Sequence, residues 1–137
     1  MRLTMYLAGA AACLMMAGIT QAQEPDCKNP KTQFDMTFCE QSRYETADAA
    51  LNEQWKKARA AVAAADKDLD EKDRGAEKAL LTAQRAWISY RDAQCEAFGF
   101  QARGGTMEPM LVAGCLANLT DERTKQLKEL SDAMGLR

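Results

Sequence analysis

The apolar positions of this chain form one almost unbroken run near the start and then three helical stripes. From Leu3 to Ile19 the sequence is apolar almost throughout, with Thr4 the one ordinary polar residue. Arg2 precedes the run, and Thr20-Gln21-Ala22 follows it with a small residue shortly before Glu24. A positive start, an apolar middle and a small-residue end predict a secretory signal peptide over residues 1–22, leaving 23–137 as the mature chain. At roughly 17 residues the run is at the short edge for a membrane span, and no stop-transfer flank follows, which disfavours a retained anchor. Ala11-Ala12-Cys13 has the outline of a lipobox, but Ala10 stands where leucine is usual and apolar sequence continues past the cysteine. Cys13 is therefore assigned to the removed segment, and no membrane span is expected after processing.

Past a lead-in that carries Pro25 and Pro30, the pattern changes period. Met36, Cys39, Ala47, Leu51, Trp55, Ala58 and Val62 recur at mostly three- and four-residue intervals, one face of a helix. Thr32 and Asp35 fit the N-cap and N3 positions of a capping box, so the first helix is predicted over Thr32 to Ala65, roughly 50 Å if unbroken. Asp66 to Arg74 is a charged connector, and Gly75 permits a turn. A second stripe with Leu80, Ala83, Trp87, Arg91 and Cys95 predicts a helix from Ala76 to Phe100, ended by Gly104-Gly105. Pro109 suits the first turn of a third helix, where its missing N–H has no intrahelical partner to lose. Val112, Cys115, Leu116, Leu119, Arg123, Leu127 and Leu130 carry that helix nearly to the end. No strand-like alternation persists. The prediction is all-α: a three-helix antiparallel bundle in a single domain.

Charge and cysteine content narrow the functional classes. The formal net charge is −2, and removal of Arg2 makes the remainder one unit more acidic. With no basic stripe, nucleic acid is not an expected partner. Histidine is absent, which removes the commonest general base and metal ligand. Four cysteines follow the predicted signal: Cys27, Cys39, Cys95 and Cys115. Zinc binding is disfavoured because no C-x-x-C spacing occurs. An exported chain in an oxidising compartment, periplasmic or secreted, points to two disulfides instead. Of the three pairings that four cysteines allow, the local one is favoured, because a hairpin closed at Gly104-Gly105 brings Cys95 and Cys115 together and leaves Cys27 for Cys39.

Trp87, Arg91 and Cys95 share a helix face at four-residue spacing. An arginine between an indole and a disulfide is expected to be partly buried and to need a partner, with Asp48 on the first helix favoured and Asp92 the local alternative. Trp55 lies in the periodic stripe and is read as core. The many carboxylates present no marked catalytic spacing, and no nucleophile elbow, P-loop or metal-binding helix motif occurs. No catalytic residue, metal or cofactor is assigned, and a binding role is favoured over an enzymatic one. Met107 and Met110 flank Pro109, where they could fill the bundle end or form an adaptable surface.

Several of these residues form an ordered pattern. Cys27, Thr32-Gln33-Phe34-Asp35-Met36 and Cys39 open it, and Ala47-Asp48 with Leu51-Asn52 continues it. Ala83-Gln84-Arg85-Ala86-Trp87, Arg91-Asp92 and Cys95 form its centre. Gly104-Gly105-Thr106, Cys115, Leu119-Thr120, Arg123 and Leu127 complete it. In this the chain resembles the lysozyme inhibitor LprI-like family. The resemblance implies an exported, disulfide-linked helical domain with lysozyme as partner, and it brings no catalytic residues. An inhibitor can block a carboxylate-bearing muramidase cleft with a loop that carries a cation. Arg103, Gly104, Gly105 and Thr106 are the candidate binding loop, since glycines allow close backbone approach. The acidic connector Asp66, Asp68, Asp70, Glu71 and Asp73 is a second candidate, for an enzyme's basic rim. A cell-envelope adaptor or a toxin-immunity protein is the alternative reading.

Overall fold

The computed structural model describes residues 24–135. The predicted signal peptide, Cys13 and the cut after Ala22 lie outside the described residues. Three helices account for nearly all of the rest: α1 (Gln33–Lys67), α2 (Ala76–Gly99) and α3 (Glu108–Gly135). Short 3-10 turns, Glu71–Asp73 and Phe100–Ala102, sit in the two connections.

Each helix start has a local cause. At α1 the expected capping box forms: the Thr32 hydroxyl accepts from the Asp35 N–H at 3.1 Å, and the Asp35 carboxylate accepts from the Thr32 and Lys31 N–H groups at 3.0 Å. The start of α2 is capped from a distance. Asp66, in the last turn of α1, accepts from the N–H groups of Gly75, Ala76 and Glu77 at 3.1, 3.0 and 3.2 Å. Gly75 has a positive φ of 146°, the backbone that makes this return possible without a side-chain clash. Helix α1 thus runs to Lys67, past the expected end at Ala65, because Asp66 and Lys67 complete its last turn. Helix α2 stops at Gly99, and the 3-10 turn takes Phe100.

The helices run up, down and up, so α1 and α3 are parallel to each other and antiparallel to α2. Contacts from Arg43 to Gly114 and from Gln54 to Ser131 fix the parallel register, while Arg59 with Glu77 and Asp48 with Arg91 fix the antiparallel one. The main interface is α1 against α3. It is lined by buried small residues, Ala47, Ala58, Ala113 and Ala117, with Leu51, Val62 and Leu127 filling the rest together with Leu80 of α2. Trp55 and Trp87 pack against this core from its edge. Two disulfides, Cys27–Cys39 and Cys95–Cys115, tie the lead-in to α1 and the end of α2 to α3, as the local pairing predicts.

Candidate binding surface

Arg91 lies at the junction of all three helices and is only 8% exposed. Its Nε and Nη2 bond to the Asp92 carboxylate at 2.9 and 2.8 Å, and Nη1 lies 3.7 Å from Asp48. Both anticipated partners are therefore present, with Asp92 the nearer. Nη1 also donates to the buried Thr120 hydroxyl of α3 at 3.4 Å. The guanidinium is 5.1 Å from the Trp87 ring centre and 5.5 Å from that of Tyr44. Arg123 approaches Trp87 at 5.9 Å and donates from Nε to the buried Gln84 at 2.9 Å. Burial lowers the Arg123 pKa from its ordinary value. This cluster joins helices through a buried cation whose three nitrogens are all engaged, which makes it scaffold before it is surface.

The candidate loop lies at one end of the bundle, between α2 and α3. Gly104 has a positive φ of 76°, a conformation glycine takes without strain. Behind it, Gly99 is buried where a Cβ would come within 2.6 Å of Val112 Cγ2, so α2 and α3 meet closely just before the loop. Arg103 lies over the Phe100 ring at 4.5 Å, and its Nη1 bonds to Glu108 at 2.7 Å. Glu108 in turn accepts from the Gly104 N–H at 2.8 Å. That backbone bond, followed by the Arg103 pairing, holds the Glu108 carboxyl below its usual pKa. Arg103 and Gly104 are thus fixed by the first residue of α3, while Phe100, Thr106 and Met107 remain exposed beside them.

A concavity of about 440 Å³ opens where α3 is flanked by the start of α1 and the outer half of α2. Its lining includes Phe98, Met110, Leu111 and Leu119 as apolar surface, with Tyr90 and Gln94 along one side. On the other side Arg43 bonds to Glu40 at 2.9 and 2.7 Å, to Asn118 at 2.9 Å and to the Gly114 carbonyl at 3.1 Å. Gly114 lets this pair lie close on α3, since a Cβ there would be 3.1 Å from the Glu40 carboxylate. Sequence reasoning missed Glu40, Arg43, Tyr90, Gln94 and Asn118. They sit on three helices at positions that read as solvated faces, and only the glycine inside the third stripe hinted at a close approach.

The remaining anticipated residues separate. Trp55, read from its stripe as core, is half-buried and packs against the core from its edge. The acidic connector does not act as a unit, because Asp66 is occupied in capping α2 while Asp68, Asp70, Glu71 and Asp73 are exposed. Met110 lies in the groove and accepts from Gln33, whereas Met107 is exposed. Among the described residues no group of three or more Cys, Asp or Glu is placed to hold a metal ion, and no helix is long and apolar enough to cross a membrane.

Comparison with known proteins adds a family. The family model described as lysozyme inhibitor LprI matches residues 26–127, which include both disulfides, the Arg91 cluster and the candidate loop. A protein of Rhizobium meliloti (strain 1021), named as uncharacterized, is 50% identical over 124 residues, 88% of this chain and 89% of its own length. No solved structure matches the chain.

Proposed function

Because the chain belongs to the lysozyme inhibitor LprI family, we propose that it is an exported binding protein that blocks a lysozyme-type muramidase. The family match across nearly the whole described fold is the observation that carries this reading. Residues 1–22 would be removed on export, and the mature protein would act in the periplasm or outside the cell, where its two disulfides persist.

The loop Arg103–Thr106 is the part we assign to the enzyme's cleft. It projects at the bundle end and is held by the Cys95–Cys115 bridge behind it and by Glu108 beneath it. Such preorganisation reduces the ordering cost of docking. Arg103 uses only Nη1 toward Glu108 among the described residues, so Nε and Nη2 keep donors for a cleft carboxylate. The exposed Phe100 ring and Met107 supply apolar contact around it. The acidic balance of the rest of the chain would speed encounter with a cationic enzyme at low salt.

The test is the rate of turbidity loss of a bacterial cell-wall suspension treated with a c-type lysozyme. The oxidised mature protein should slow clearing, and less so as salt rises to physiological strength. Undiminished clearing at high micromolar protein, with both disulfides verified, would remove the inhibitor reading and leave an envelope adaptor or immunity protein in its place.

A further inference from the structure

We propose that the groove between Tyr90 and Arg43 is a second binding site, for a neutral N-acetylated hexosamine of a glycan chain. This goes beyond enzyme inhibition and does not rest on it.

The groove has the size and character of a small-molecule site: about 440 Å³ with an apolar floor and a few convergent polar groups. Its charge balance favours a neutral ligand. Arg43 is its cation, and that cation is neutralised by Glu40, with Asp121 a further 3.9 Å from Nη1. An anion would have to displace Glu40, and because Glu40 and Arg43 cancel, the lining carries no net negative charge to draw a cation.

The polar groups keep unused capacity of both kinds. Both Arg43 bonds to Glu40 fall on Oε2, leaving Oε1 as an acceptor with no partner among the described residues. Asn118 accepts from Arg43 through Oδ1, and its amide N–H₂ has no partner among the described residues. The Tyr90 hydroxyl and the Gln94 amide have no protein partner among the described residues, and Tyr90 is 56% exposed. Mixed donors and acceptors at the rim suit hydroxyls and an amide, which are both at once. The Tyr90 ring offers an apolar face for the C–H face of a pyranose. Leu111 and Leu119 in the same lining suit an acetyl methyl.

A peptide strand fits less well. All three walls are helices whose backbone groups are bonded internally, so no sheet edge is available for strand addition. The ion pair on one side interrupts the continuous apolar trough that an amphipathic helix would require.

The experiment is an amide-shift titration of the oxidised mature protein with the β-1,4-linked trimer of N-acetylglucosamine. We expect saturable shifts with a Kd of about 1 mM or tighter, centred on Tyr90, Gln94 and Asn118 and absent from Gly104 and Gly105. Tyr90→Ala and Gln94→Ala should each weaken binding about tenfold with unchanged melting midpoints, because both side chains are exposed and bond to nothing among the described residues. The disaccharide of cell-wall glycan carries a lactyl carboxylate and should bind more weakly than the neutral trimer, because an anion meets Glu40. Binding as tight as the trimer or tighter would overturn the neutral-ligand assignment. The proposal is overturned by an absence of saturable shifts, by shifts centred on the loop, by variants that bind like wild type, or by a sugar-free cell-wall peptide that binds as well as the trimer. A failure to inhibit lysozyme leaves it standing.

Discussion

Replacing Arg91 with alanine is expected to cost the fold about 2–3 kcal/mol, and the structure shows where that figure arises. The buried Thr120 hydroxyl loses its donor, and because that bond is long at 3.4 Å the loss sits at the low end for a stranded buried group, about 1 kcal/mol. Contact with Trp87 and Tyr44 contributes about 0.5–1 kcal/mol per ring. A buried carboxylate stranded without its cation would add about 3–5 kcal/mol, but that penalty does not apply here. The Asp48 and Asp92 side chains are 41% and 56% exposed and regain water when the arginine is removed. The sequence alone suggests a buried carboxylate as the source of the loss, and the structure moves that source to Thr120 and the rings. For a domain near this size the loss corresponds to a fall of about 10–20 °C in melting midpoint. Arg91→Met, which keeps much of the stem's packing, should recover part of it. Paired denaturant and thermal midpoints read both variants. An alanine variant within about 0.5 kcal/mol of wild type would refute a structural role for this cluster.

Asp66→Asn should lower stability at neutral pH, because the carboxylate bonded to the Ala76, Gly75 and Glu77 N–H groups has a pKa below its ordinary 3.8. With the folded value depressed, that contribution is full above the unfolded pKa and is lost as pH falls through the folded one. The difference between wild type and variant should therefore be constant near neutrality and close below pH 3.8, as urea midpoints across pH would show. Cys95→Ala with Cys115→Ala opens a bridge of sequence separation 20 and should cost about 3 kcal/mol, read from urea midpoints against the oxidised wild type. Arg103→Gln should weaken lysozyme inhibition with little change in melting. Arg103→Glu is the poorer test, because it would set two carboxylates together at Glu108 and perturb the loop itself.

The three helices and both bridges were legible because each rests on local pattern: apolar residues every three or four positions, Thr32 with Asp35, and cysteines placed on either side of a glycine turn. The Arg91 cluster was legible in part. Its spacing to Trp87 and Cys95 announces burial, but which aspartate lies nearer depends on how α1 settles against α2. Asp66 and Arg103 show where local reasoning ends. Each reads as an exposed charge, and each is committed to a backbone or side-chain partner that the chain brings back only after a turn. The groove was hidden for the same reason. Its polar residues come from three helices, and their convergence follows from the parallel register of α1 with α3.

The most direct test of the central claim is a calorimetric titration of the oxidised mature protein into a c-type lysozyme, repeated with the Arg103→Gln variant. The account predicts saturable one-to-one binding that weakens with salt and falls with the variant while the fold is unchanged. No binding heat at either salt, from protein with Cys27–Cys39 and Cys95–Cys115 intact, would contradict it. Binding that is identical in the variant would keep the partner and remove the loop.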